Sequence, residues 1–134
     1  MKFLLDTNTC IIYLRGKNLT LKQKLEATKI QDITVCSIVK SELFYGALKS
    51  AKPERNLAAQ QEFLAQFVSL PFDDSATMIF GTVRTRLEAL GTPIGPYDLQ
   101  IASIALSHNL TLVTHNTREF KRVDDLQLED WEIE

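Results

Sequence analysis

The chain has 134 residues, with 15 basic and 17 acidic side chains, a formal net charge of −2, 45% hydrophobic and 24% charged residues. These proportions are those of a folded soluble domain and exclude disordered, collagen-like and fibrous classes; the length fits a single domain, 1–134, that buries roughly two-thirds of its unfolded surface. No apolar run approaches the ~20 residues of a membrane span, and Asp6 arrives too early for the apolar core of a secretory signal, so a cytoplasmic protein is expected.

In chain order the pattern predicts a strand over 3–5, helices over 8–15 and 18–29, and a strand over 33–36. Helices follow over 38–50 and 54–66, with a strand over 67–70 that stops at Pro71. Helices over 74–90 and 96–108 and a strand over 110–114 complete the alternation. The strands are nearly continuous in apolar or Thr residues, as strands covered on both faces are. Val39, Leu43, Phe44, Ala47 and Leu48 repeat with helical period. Pro53 and Pro96 stand where helices start, and Gly91 where one should be capped. Strands alternating with helices give an α/β class, a three-layer α/β/α sandwich with a mainly parallel sheet.

The charge is unevenly placed. Residues 124–134 hold six acids and no base, an acidic C-terminal segment, so residues 1–123 carry 15 basic against 11 acidic side chains. A mildly basic body points towards a polyanionic partner.

In parallel α/β sheets ligands collect at the carboxyl ends of the strands. Asp6 closes the first strand; Asn8 and Thr9 can cap the following helix, which leaves Asp6 without an evident structural task. Glu42 has no cation three or four positions away on its helix, where Ile38, Val39, Tyr45 and Gly46 stand. Asp98 opens a helix that is apolar around much of its circumference (Leu99, Ile101, Ala102, Ile104, Ala105, Leu106), where a carboxylate needs a partner. Asn116 and Glu119 fit a capping box and can also serve a site at the end of the last strand.

Other chemistries lack their residues. His108 and His115 have no zinc-ligand spacing, Cys10 and Cys36 read as small core residues, and there is no phosphate-cradling glycine loop or Ser/Cys nucleophile motif. An all-oxygen set of acids suits Mg²⁺ or Mn²⁺, and with it metal-assisted phosphodiester hydrolysis. Two other classes compete. An aspartyl-nucleophile phosphatase would need a second Asp that Asp6-Thr7-Asn8 lacks, and a non-catalytic cation- or partner-binding module would use the same acids without turnover.

Leu4-Leu5-Asp6-Thr7-Asn8, Ser41-Glu42-Leu43-Phe44-Tyr45-Gly46-Ala47 and Pro93-Ile94-Gly95-Pro96-Tyr97-Asp98-Leu99-Gln100-Ile101-Ala102, with Thr114-His115-Asn116-Thr117-Arg118-Glu119-Phe120, resemble the PIN-domain ribonucleases and, within them, the VapC toxins of bacterial VapBC toxin–antitoxin modules. The resemblance implies an Mg²⁺- or Mn²⁺-dependent endoribonuclease with Asp6, Glu42 and Asp98 as the acidic metal site. Where many members carry a further Asp this chain has Asn116, and Glu119 is the candidate fourth acid. The subgroup motifs are similar to those of enzymes that cut initiator tRNA in the anticodon loop. The resemblance also implies a homodimer and a cognate antitoxin that occupies the groove near the acids. Arg84, Arg86, Arg118, Lys121 and Arg122 are candidates for phosphate contacts, against ordinary solvated surface, which is the favoured reading for Lys121.

Overall fold

The computed structural model describes residues 1–134. The chain runs β1 (Phe3–Leu5), α1 (Thr7–Arg15), α2 (Leu19–Ala27), a 3₁₀ turn (Ile30–Asp32), β2 (Ile33–Cys36), α3 (Ser37–Leu48), α4 (Pro53–Leu64) and β3 (Val68–Leu70). It continues through α5 (Asp74–Ala89), α6 (Pro96–Ser107), β4 (Thr111–Val113), α7 (Thr117–Phe120) and β5 (Leu128–Glu129). Each expected strand and helix is present, with ends shifted by three residues or fewer.

All strand pairs are parallel, in the order β3-β2-β1-β4-β5. The chain builds outwards from central β1 to β3, then returns to the other side of β1 to add β4 and β5. Right-handed crossovers put the outward connections on one face and the returning ones on the other, giving the expected three layers. The order reverses between β1 and β4, where Leu5 is in register with Val113. The crevice for a ligand lies there, beyond the ends of these two strands.

Local chemistry sets the helix ends. Asn18 and Asp73 cap α2 and α5 by accepting from Leu21 N and Ala76 N, and Pro53 and Pro96 occupy first-turn positions. Gly91 takes φ +72° just after α5, a left-handed conformation that favours glycine, while Thr92 N donates to Leu87 O. The continuous apolar runs are buried: all four residues of β2, and Ile101 through Ala105 of α6. Their apolar members, with Leu4, Leu5, Leu43, Leu112 and Phe120, form one contiguous core.

The acidic segment packs onto the sheet: Leu128 and Glu129 add an edge strand in register with Leu112 and Val113, and Trp131 is 5% exposed with its ring edge-on to Phe3, 5.0 Å between centroids. Its Asp124 carboxylate pairs with Arg86. One expectation needs correction. Asp6 is itself the N-cap of α1, accepting from Thr7 N at 2.8 Å, and helix formation begins at Thr7 rather than at 8.

Candidate active site

The acids meet at the reversal of strand order. Asp6, 4% exposed, follows β1 directly, and its backbone N–H donates to Val113 O of β4. The same register sets Thr114 beside it, and the Thr114 hydroxyl donates to Asp6 Oδ2 at 2.8 Å. With Oδ1 on Thr7 N, both carboxylate oxygens are fixed in direction. Thr7 then turns its hydroxyl to Glu42 of α3, donating to Oε1 at 2.7 Å. One threonine thus ties the acid at a strand end to an acid on a helix 35 residues away.

Thr114 Oγ1 also accepts from Asn116 N at 3.0 Å. The Asn116 carboxamide donates to Glu119 Oε2 at 2.8 Å, and Glu119 Oε1 accepts from Gly95 N at 3.1 Å, in the turn that leads into Asp98. The expected capping box is therefore not formed: the Asn116 side chain makes no cap to α7, and Glu119 reaches across to the α6 entrance instead. Arg122, three residues further on, donates to Pro93 O and secures the same turn.

Electrostatics identify the neighbours. Burial raises the Asp6 carboxyl above its ordinary 3.8; the bonds from Thr114 and Thr7 oppose this, and Glu42 and Glu119 add to it. Asp98, half-buried, is pushed up to about 7, first by desolvation and then by the charges of Asp6, Glu119 and Glu42. No ion pair of the chain involves any of these acids. Carboxylates crowded together without a cation are strained when ionised, which is the condition a hard divalent ion relieves. No three of these acids bring ligand oxygens within 4.8 Å of one another. All five candidate residues, Asp6, Glu42, Asp98, Asn116 and Glu119, belong to this one assembly.

Thr7 and Thr114, which bond the candidate acids, are absent from the sequence-derived candidates. Thr114 reaches Asp6 through the β1–β4 register, which pairs the residue after one strand with the residue after the other. His115, Asp130 and Glu132 form a separate close group, within 4.8 Å, on the side of β5. His115 Nδ1 lies 2.9 Å from Asp130 Oδ2, and Glu132 N donates to Asp130 Oδ1. Cys10 and Cys36 are free and buried, with thiols raised above their ordinary value by burial, so neither is a nucleophile. Of the candidate phosphate contacts, Arg84 and Arg86 are paired to Glu88 and Asp124, whereas Arg118 of α7 and Lys121 just after it are exposed.

The PIN domain family model matches residues 3–126. The chain is 41% identical over 131 residues to the tRNA(fMet)-specific endonuclease VapC of Salmonella typhimurium, covering 98% of each chain. It is also 41% identical over 133 residues to ribonuclease VapC2 of Rickettsia felis, covering 98% of this chain and 99% of that one. Among solved structures, DNA-bound VapBC from Salmonella typhimurium matches with a TM-score of 0.92 at 41% identity, covering 98% of each chain. VapBC2 from Rickettsia felis matches with 0.90 at 40%, covering 98% of this chain and 99% of that one. The chain belongs to the PIN-domain family and, within it, to the VapC proteins. No helix is long and apolar enough to cross a membrane.

Proposed function

We propose that this protein is the toxin of a toxin–antitoxin pair, an endoribonuclease that hydrolyses RNA phosphodiester bonds with Mg²⁺ or Mn²⁺ and takes tRNA, initiator tRNA above all, as its substrate. The observation that carries the reading is the Asp6–Glu42–Asp98 assembly at the β1/β4 crevice, uncompensated by any basic side chain, in a chain 41% identical to a tRNA(fMet)-specific endonuclease. Asp6, Asp98 and Glu42 would hold the ion. When bound, it polarises the phosphoryl oxygen, lowers the pKa of water and neutralises charge on the leaving oxygen.

The chain's own groups do the rest. Thr114 and Thr7 hold Asp6 and Glu42 in fixed directions, so no reorganisation accompanies the reaction. Glu119, anchored to Gly95 and Asn116, supplies the fourth acid where Asn116 is neutral. Arg118 and Lys121 offer phosphate contacts on the strand of RNA crossing α7. The partners are RNA, a cognate antitoxin that occupies the groove beside the acids, and a second copy of this chain in a homodimer. The VapBC neighbours support the antitoxin.

The test is expression without and with a cognate antitoxin, followed by mapping of fragment ends in total tRNA. Growth arrest with one new pair of ends in the anticodon loop of initiator tRNA, both suppressed by the antitoxin, is expected. Arrest with intact tRNA and cuts elsewhere would replace the substrate. A trapped acyl-phosphate on Asp6 would replace the reaction.

A further inference from the structure

One group of ligating side chains stands outside the acid assembly. β4 and β5 run parallel with Val113 opposite Glu129, and Thr114 N donates to Glu129 O, so the residues leaving the two strands lie side by side. His115 leaves β4 there, and Asp130 and Glu132 follow β5. One imidazole nitrogen and one oxygen from each carboxylate all lie within 4.8 Å of one another, and no other three His, Cys, Asp or Glu residues of the chain come so close. His115 Nδ1 and Asp130 Oδ2 are 2.9 Å apart. Two donors each about 2.0–2.2 Å from a single zinc ion stand about 3–3.5 Å apart, so this pair already has nearly the separation that a shared ion requires.

The acids are also oriented. Asp130 is only 11% exposed, and its Oδ1 accepts from Glu132 N, which leaves Oδ2 as the oxygen turned to the imidazole. Such a bond behind a ligand fixes its direction. Burial raises the Glu132 carboxyl above its ordinary value; His115 opposes this and Asp130 adds to it. Neither acid is paired with a Lys or Arg. The 61% exposure of the His115 side chain leaves an approach from solvent.

We propose that His115, Asp130 and Glu132 form a zinc site, separate from the acids of the crevice, that fastens the C-terminal segment to the exit of β4. The donor set selects the metal. One imidazole nitrogen and two carboxylate oxygens, with a water as fourth ligand, suit Zn²⁺, whereas Mg²⁺ takes oxygen donors. The crevice acids offer oxygen alone, so the two places sort two kinds of ion. Because one ligand leaves β4 and two follow β5, the bound ion bridges the sheet edge, and its binding adds to the docking of β5.

The chain has two histidines, His108 before β4 and His115 after it, so their imidazole ¹⁵N signals can be followed one by one with His108 as internal reference. The full-length protein, freed of metal and antitoxin, is titrated with Zn²⁺ in excess Mg²⁺. A shift of one His115 ring nitrogen that saturates at one equivalent, an unmoved His108 and a rise in Tm are expected. His115→Gln and Glu132→Gln should weaken Zn²⁺ binding by about a hundredfold or more, since even a partner behind a ligand is worth about 10–100-fold. Both variants should melt with the wild type in chelator, and if either does not, the wild-type His115 signal decides. Asp98→Asn should keep the zinc site. An unmoved His115 signal at excess Zn²⁺ would overturn the proposal, as would folded variants that bind Zn²⁺ as tightly as the wild type. Binding that Asp98→Asn abolishes would move the ion to the crevice and overturn it too. The titration reads binding, so it stands apart from whatever RNA the crevice cuts.

Discussion

Asp98 couples the site to stability. Its carboxyl sits at about 7 in the fold against an ordinary 3.8, so between these values the native state holds a proton that the unfolded chain has released. The associated stability is complete below about pH 4 and is lost as pH rises through about 7. Asp6 is shifted in the same direction and adds to the trend. Metal-free protein should therefore melt lower at pH 8 than at pH 5.5. Asp98→Asn, which cannot ionise, should raise the metal-free Tm at pH 8 and flatten its pH dependence while abolishing cleavage; melting curves in chelator over that range check this. Thr7→Val removes the hydroxyl that orients Glu42, and should weaken Mn²⁺ binding or activity by roughly 10–100-fold, with Thr7→Ser largely restoring it. At this scale the sequence showed which acids lacked local partners, because helical spacing is local. It could not show Thr7 and Thr114 at work, since Thr7 bonds Glu42 35 residues away and Thr114 bonds Asp6 108 residues away. Asp6 was misjudged for the related reason that its cap and its site role use different carboxylate oxygens.

Elements with a long apolar pattern or explicit punctuation were legible: the buried runs of β2 and α6, Pro53 and Pro96 at helix starts, Gly91 after α5. β5 was not. Two residues within an acidic stretch carry no periodic signal, and the strand exists because β4 offers an open edge with matching register. What holds it is Trp131 closing over Phe3, a contact between the two ends of the chain. Trp131→Ala should cost about 3–5 kcal/mol, read from the shift of the urea midpoint at constant slope. A change under about 1 kcal/mol would show that β5 docks without it. α7 is short, yet it delivers both Asn116 and Glu119 because fully buried Phe120 anchors it.

At the scale of the molecule, the net charge of −2 conceals opposite regions. Acids gather in the β5 segment and in the crevice, and the crevice acids are those a divalent ion would neutralise. Binding to tRNA should fall by roughly tenfold or more between about 50 and about 200 mM salt, as phosphate contacts require. A flat response in a filter or fluorescence titration would remove the basic face from the account. The α/β class and parallel sheet followed from alternation alone. The strand order did not, because it depends on which side of β1 the chain returns to, and that return is what creates the crevice at Asp6.

The most direct test of the central claim is cleavage of purified initiator tRNA by the wild type and by Asp98→Asn, each in Mg²⁺ and in chelator. One discrete pair of fragments is expected for the wild type in Mg²⁺ only, and none for Asp98→Asn, which still binds the tRNA. Wild-type cleavage in chelator, or full cleavage by Asp98→Asn, would contradict it.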